Sequence, residues 1–176
     1  MKKILLCLCL FSSAAYANQC EIIDSELAAS YSEMETYGNY NEKNEEKYQS
    51  SEKRFKDALA KIEKLEGKFC TWEKAPEVGV GMLTSEDQKL QILVWDWQSG
   101  GTMHEYGSIW RYQLPNGTWK TEVNELSSFI TRLVPLKLNG KPYYYIETSD
   151  IYSQCHHAIA AKFYQITEKG LEEANL

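Results

Sequence analysis

An acid, a base and two adjacent glycines fall within ten residues: Trp95-Asp96-Trp97-Gln98-Ser99-Gly100-Gly101-Thr102-Met103-His104. Asp96 and His104 are candidates for an acid/base pair of the kind a hydrolase uses, and the glycines let the backbone take positive φ and approach a ligand closely. Hairpin register decides whether carboxylate and imidazole meet. In a two-residue Gly100-Gly101 turn Trp97 lies opposite His104 and Asp96 points to the other face. A three-residue loop ending at Gly101 sets Asp96 directly opposite His104, so the pair requires an odd loop. The alternative is a tight hairpin whose Asp96 accepts backbone hydrogen bonds in the turn while His104 caps the sheet.

A second set is Cys155-His156-His157, where three metal-ligand types stand in a row. On a strand adjacent side chains point to opposite faces, so only Cys155 and His157 can share an ion, and no C-x-x-C motif supplies the rest. The third feature is aromatic: Trp72, Trp95, Trp97, Trp110, Trp119 and the run Tyr143-Tyr144-Tyr145. Rings on an exposed sheet face can stack on sugars or anchor a protein partner; rings in a core simply fill it. The binding candidates are therefore Trp97, Gly100, Gly101, Thr102 and His104, with Trp110 and Tyr144. No P-loop, dinucleotide fingerprint, zincin motif or nucleophile elbow occurs, and no cofactor is expected.

The run Trp95-Asp96, three residues, then Gly100-Gly101-Thr102-Met103-His104 resembles the signature of an uncharacterised family of exported bacterial proteins, in which a W-D-x-x-x-G-G-T-M-H stretch follows a strand. The likeness covers about ten residues. It implies that this turn is more than a connector, and it implies no activity.

The elements that must position these residues can be read from periodicity. Ile23, Leu27, Tyr31 and Met34 mark one face of a helix that Gly38-Asn39 stops. Phe55, Ala58, Leu59, Ile62 and Leu65 mark a second helix ended by Gly67, with Glu52/Lys56 and Asp57/Lys61 as i,i+4 pairs. Beyond Cys70 the composition turns to Trp, Tyr, Val, Ile and Thr. Strands are expected at Leu90 to Trp97, through Thr102 to Leu114, and at Thr118 to Val123, Leu133 to Leu138, Tyr143 to Thr148 and Ala158 to Ile166. Asn116-Gly117 and Asn139-Gly140 are hairpin turns, and Glu125 to Thr131 is ambiguous. The expected fold is α+β: an N-terminal αα-hairpin over residues 18–68 packed on an antiparallel β-meander of about six strands over residues 69–176. Leu90 to Trp97 is apolar on both parities and should be central, with the helices as cover.

The N-terminus has the layout of a secretory signal: Lys2 and Lys3, the apolar run Ile4 to Phe11, then Ala15-Tyr16-Ala17. The run is too short for a permanent span, which needs roughly 20 residues. Cleavage after Ala17 takes 17 of 176 residues and leaves a single domain of 159, at residues 18–176. The signal holds two lysines and no acid, so its loss moves the net charge from −6 to −8, which disfavours nucleic acid and anionic lipid as partners. Three cysteines remain. In the oxidising periplasm or outside the cell two should pair, and Cys20 with Cys70 is favoured because they flank the helical hairpin, leaving Cys155 over.

Residues 18–41 carry Glu21, Asp24, Glu26, Glu33 and Glu35 without a Lys or Arg. Such a face suits a basic protein partner, or serves only solubility. The expected function is a non-enzymatic binding protein of the envelope, such as an inhibitor or immunity-type protein with a protein partner. The alternatives are a small hydrolase using Asp96 and His104, and a structural envelope component that makes contacts through its helical hairpin.

Overall fold

The computed structural model describes residues 4–38, 44–65, 69–98, 104–126, 128–153 and 156–176. Helix α1 (Ile4–Tyr37) runs unbroken through the segment read as a signal, and α2 (Glu45–Glu63) returns against it. Glu26 meets Lys61 at 2.5 Å and Glu33 meets Arg54, so residue numbers rise on one helix as they fall on the other and the hairpin is antiparallel. Glu52 pairs with Lys56 as its spacing predicts, whereas Lys61 turns to α1. Among the described residues no helix is long and apolar enough to cross a membrane.

The predicted stripes are the buried ones. Ile23, Leu27, Tyr31 and Met34 of α1 and Phe55, Ala58, Leu59 and Ile62 of α2, with Leu65 just beyond, share one core with Leu93, Trp95 and Ile109. Cys20 and Cys70 form a disulfide at the open end of the hairpin, with Cα atoms 5.4 Å apart. Closing a loop of 50 residues stabilises the fold by about 4 kcal/mol in the chain-entropy account. Beside it Asp24, buried on the same face of α1, accepts hydrogen bonds from the amides of Glu73, Lys74 and Ala75, each at 2.9 Å. Those amides open the single-turn helix α3 (Lys74–Glu77), so a side chain of α1 caps it from outside. Gln91 completes the junction: its amide donates to the Cys70 carbonyl, and its oxygen accepts the Trp72 indole N–H.

The strands number eight, in two sheets, rather than about six in one meander. The first sheet holds β1 (Gly81–Thr84), β2 (Leu90–Asp96), β3 (Tyr106–Gln113) and β4 (Trp119–Leu126), in that order and antiparallel. The second holds β5 (Phe129–Leu138), β6 (Lys141–Ser153), β7 (His156–Ile166) and β8 (Leu171–Ala174) in the same simple order. The ambiguous stretch Glu125 to Thr131 is where the chain leaves one sheet and starts the next. Asn139 and Gly140, both at positive φ, make the two-residue turn between β5 and β6.

β2 is central, and its two parities face different partners. Leu93 and Trp95 meet the helices, while Leu90, Ile92 and Val94 pack with Trp110, Tyr112, Ile130, Tyr144 and Ile146 in a second core between the sheets. The molecule is thus layered helix, sheet, sheet, and the cover on the second face of β2 is the other sheet. At Gly107 of β3 the Trp95 ring lies so close that a Cβ would sit 2.5 Å from it.

Candidate functional site

β2 and β3 bring Asp96 and His104 together at the end of their hairpin. The ladder pairs Asp96 with Tyr106, and the Trp97 amide donates to the Glu105 carbonyl at 2.8 Å. Asp96 is therefore two residues out of step with the direct Asp96–His104 pairing, but on the parity that an odd loop requires. His104 follows as the diagonal neighbour, and its Nδ1 lies 2.5 Å from Asp96 Oδ2. The other carboxylate oxygen accepts the Gln98 amide at 2.7 Å. One side chain thus holds both ends of the connection from β2 to β3.

The imidazole stacks on Tyr106, with centroids 5.9 Å apart and planes 13° from parallel, and Tyr106 packs edge-on against Phe129 of the second sheet. The helices hold the other side of this neck. Tyr31 of α1 accepts from the Asp96 amide and from Gln98 Nε2, each at 3.3 Å. Tyr48 of α2 donates to the Trp97 carbonyl. The Trp97 ring stands edge-on to Trp95 and Phe55, with the Lys56 ammonium 5.1 Å above its face. Burial pushes the Tyr31 hydroxyl above its ordinary range, and burial with the nearby Glu52, Asp96 and Glu105 carboxylates pushes Tyr48 up to about 12. Both stay protonated at neutral pH.

Chemically, a neutral imidazole whose Nδ1 donates to a carboxylate leaves Nε2 as an acceptor. The His104 side chain is 36% exposed and that of Asp96 16%, so the ring reaches the surface. Among the described residues no hydroxyl or thiol is hydrogen-bonded to His104. A cavity of about 570 Å³ lined by Phe69, Trp72, Met82, Gln88 and Trp119 lies at the opposite end of the first sheet and does not include the pair.

The other candidates separate. Gly100, Gly101 and Thr102 lie outside the described residues, as does Cys155. His157 is placed by its backbone alone, on β7 opposite Ile151. No group of three metal-ligating side chains occurs among the described residues. Trp110 and Tyr144 are 6% and 2% exposed in the core between the sheets, where neither offers a surface to a ligand. The Trp110 indole donates to Ser108, and the Tyr144 hydroxyl donates to Asp87. Residues missed in the sequence are Tyr31, Tyr48, Gln98 and Tyr106. Tyr31 carried a signal, since a tyrosine on an apolar helical stripe needs a buried partner for its hydroxyl.

Comparison of the chain with known protein families, with curated proteins and with solved structures finds no match.

Proposed function

We propose that this is an exported, non-enzymatic binding protein of the bacterial envelope, an inhibitor or immunity-type partner of a secreted or envelope enzyme, which makes contact through the connection between Gln98 and His104. The supporting observation is the Asp96 carboxylate, bonded at once to the Gln98 amide and the His104 ring. The flanks Asp96 to Gln98 and His104 are held by the carboxylate and braced by Tyr31 and Tyr48, and flanks fixed in advance cost less freedom on binding, which favours affinity. The resemblance of Trp95 to His104 to exported proteins of a common signature supports the same segment.

Export is supported by the layout of residues 1–17 and by the Cys20–Cys70 disulfide, which suits an oxidising compartment. Cleavage before Asn18 would leave Cys20 in the first turn of the mature helix, so the disulfide would tie down the new terminus. Residues 18–176 are read as one domain, because β2 and β3 supply side chains to both cores. The acidic face of α1 supports the loop over the helix as the contact region. Asp24 caps α3, and Glu26 and Glu33 pair with α2, so three of its five acids act within the fold. Affinity capture tests the reading. A partner held by the wild-type chain should be lost with Thr102→Arg at an unchanged unfolding midpoint, and capture that survives that substitution contradicts it.

A second reading rests on the 2.5 Å contact between Asp96 and His104: a hydrolase in which His104 Nε2 takes a proton from water while Asp96 orients the ring. Turnover of an ester, amide or glycoside that His104→Ala abolishes would establish it. Equal rates in the two proteins would remove it.

A further inference from the structure

A strand at the edge of a sheet presents unpaired N–H and C=O groups to any other chain unless the edge is blunted. Among the described residues three of the four sheet edges are blunted by short length, by proline or by a bulge. β1 and β8 are four residues each, and β8 carries Glu172 and Glu173. β5 has Pro135 in mid-strand, without an N–H, and a register shift between Ile130 and Arg132. β4 carries charges of both signs, Lys120, Glu122 and Glu125, but is not shortened or interrupted. It is eight residues long, contains no proline and keeps unbroken register with β3 from Gln113↔Trp119 to Tyr106↔Leu126. Among the described residues it pairs on that side only.

Its free edge can be read from the turn. The Leu114 amide donates to the Thr118 carbonyl at 2.8 Å, so the alternation of an antiparallel ladder assigns the even-numbered residues of β4 to β3. Trp119, Thr121 and Val123 then aim their backbone groups outward. Val123 is 49% exposed there, and a groove of about 640 Å³ between the end of α2 and β4 is lined by Leu65, Trp119 and Thr121.

The side chains of this edge complement themselves. We infer that β4 pairs antiparallel with β4 of a second copy of the chain, with Thr121 on the two-fold axis opposite Thr121 of the partner subunit. In that register Lys120 faces Glu122 of the partner subunit and Glu122 faces Lys120 of the partner subunit. On the helix side Trp119 faces Val123 of the partner subunit, an aromatic and β-branched pair. Moving the axis by one residue sets either Glu122 or Lys120 opposite its own copy, like charge against like. Centring it on Val123 sets Lys120 against Leu126 of the partner subunit and leaves the charges unmatched. The product is an isologous dimer with one continuous eight-stranded sheet built from two copies of the β1 to β4 sheet. This inference stands apart from the reading of the loop.

Sedimentation equilibrium and cysteine cross-linking test it on the purified chain. The expected mass is that of a dimer, with Lys120→Glu and Glu122→Lys each weakening association about tenfold and the double swap restoring it. Facing Cα atoms of a hydrogen-bonded pair lie about 5.5 Å apart, within disulfide range. Thr121→Cys should therefore give a covalent dimer, identified by mass spectrometry as two copies of one peptide joined through the introduced thiols. Val123→Cys should not. A monomer at every soluble concentration overturns the inference, as does a dimer indifferent to both charge changes or one that cross-links at Val123 in preference to Thr121. The cross-linking arm stands even where a charge variant fails to fold.

Discussion

Asp96 Oδ2 lies 2.5 Å from His104 Nδ1, although the strand pairing sets Asp96 opposite Tyr106. The contact is diagonal across the hairpin, and the same carboxylate takes the Gln98 amide. The immediate effect is mechanical, because both ends of the connection are fixed to one side chain.

Removing that side chain should loosen the neck. Asp96→Ala is expected to cost about 1–3 kcal/mol, since it strips a partly buried amide and a ring nitrogen of their acceptor. Hydrogen exchange at the Gln98 amide should speed up several-fold, while His104→Ala leaves that amide protected. Equal protection in Asp96→Ala and wild type would show that the carboxylate does not hold the turn.

The cap of α3 gives a larger effect. Asp24 accepts three backbone N–H bonds from a buried position, and Asp24→Ala orphans all three donors at once. Urea unfolding should show a loss of about 3 kcal/mol. Glu21→Ala, an exposed change on the same helix, should move it by less than about 0.5 kcal/mol.

Much of this architecture is written in the sequence, and what is hidden has physical reasons. The helical stripes are legible because each repeats every three or four residues over several turns, and both are buried as read. β2 announces itself by being apolar on both parities, but alternation cannot say what covers each face, so the division of the strands into two sheets stayed invisible. β1 and β8 are four residues each, too short to show a period, and β8 holds two glutamates where an apolar residue would mark a strand. Of the site, the parity that joins Asp96 to His104 follows from an odd loop. The register itself, and the bracing by Tyr31 and Tyr48 from elements 65 and 49 residues away, are tertiary. Trp110 and Tyr144 illustrate the converse limit: an aromatic on a strand reads the same whether its face is wet or dry.

Close packing at Trp95 predicts that β3 tolerates nothing larger than glycine at position 107. A Cβ there would press into the indole at 2.5 Å, so Gly107→Ala should destabilise by about 2 kcal/mol and perturb the near-UV signal of the tryptophans. Unchanged stability would mean that the ring has room to move.

Alkali should act through tyrosines. Burial raises Tyr48 and Tyr112 from 10.0 to about 12, and each hydroxyl donates a hydrogen bond, Tyr48 to Trp97 and Tyr112 to Glu122. The folded state holds these protons more tightly than the unfolded chain. Their contribution is therefore intact below pH 10 and is lost as pH rises toward 12. Chemical denaturation across that window should show falling stability with a shallower slope in Tyr48→Phe, and an unaltered slope would count against the donor role.

The proposed contact surface is the connection between Gln98 and His104. The most direct measurement is a photo-crosslinking residue placed at Thr102 and, separately, at the exposed Thr131 of the second sheet, with the products identified by mass spectrometry after expression of the full chain in bacterial cells. A single protein captured from position 102 and not from 131 is the predicted result. No product from position 102, or the same proteins from both positions, would contradict it.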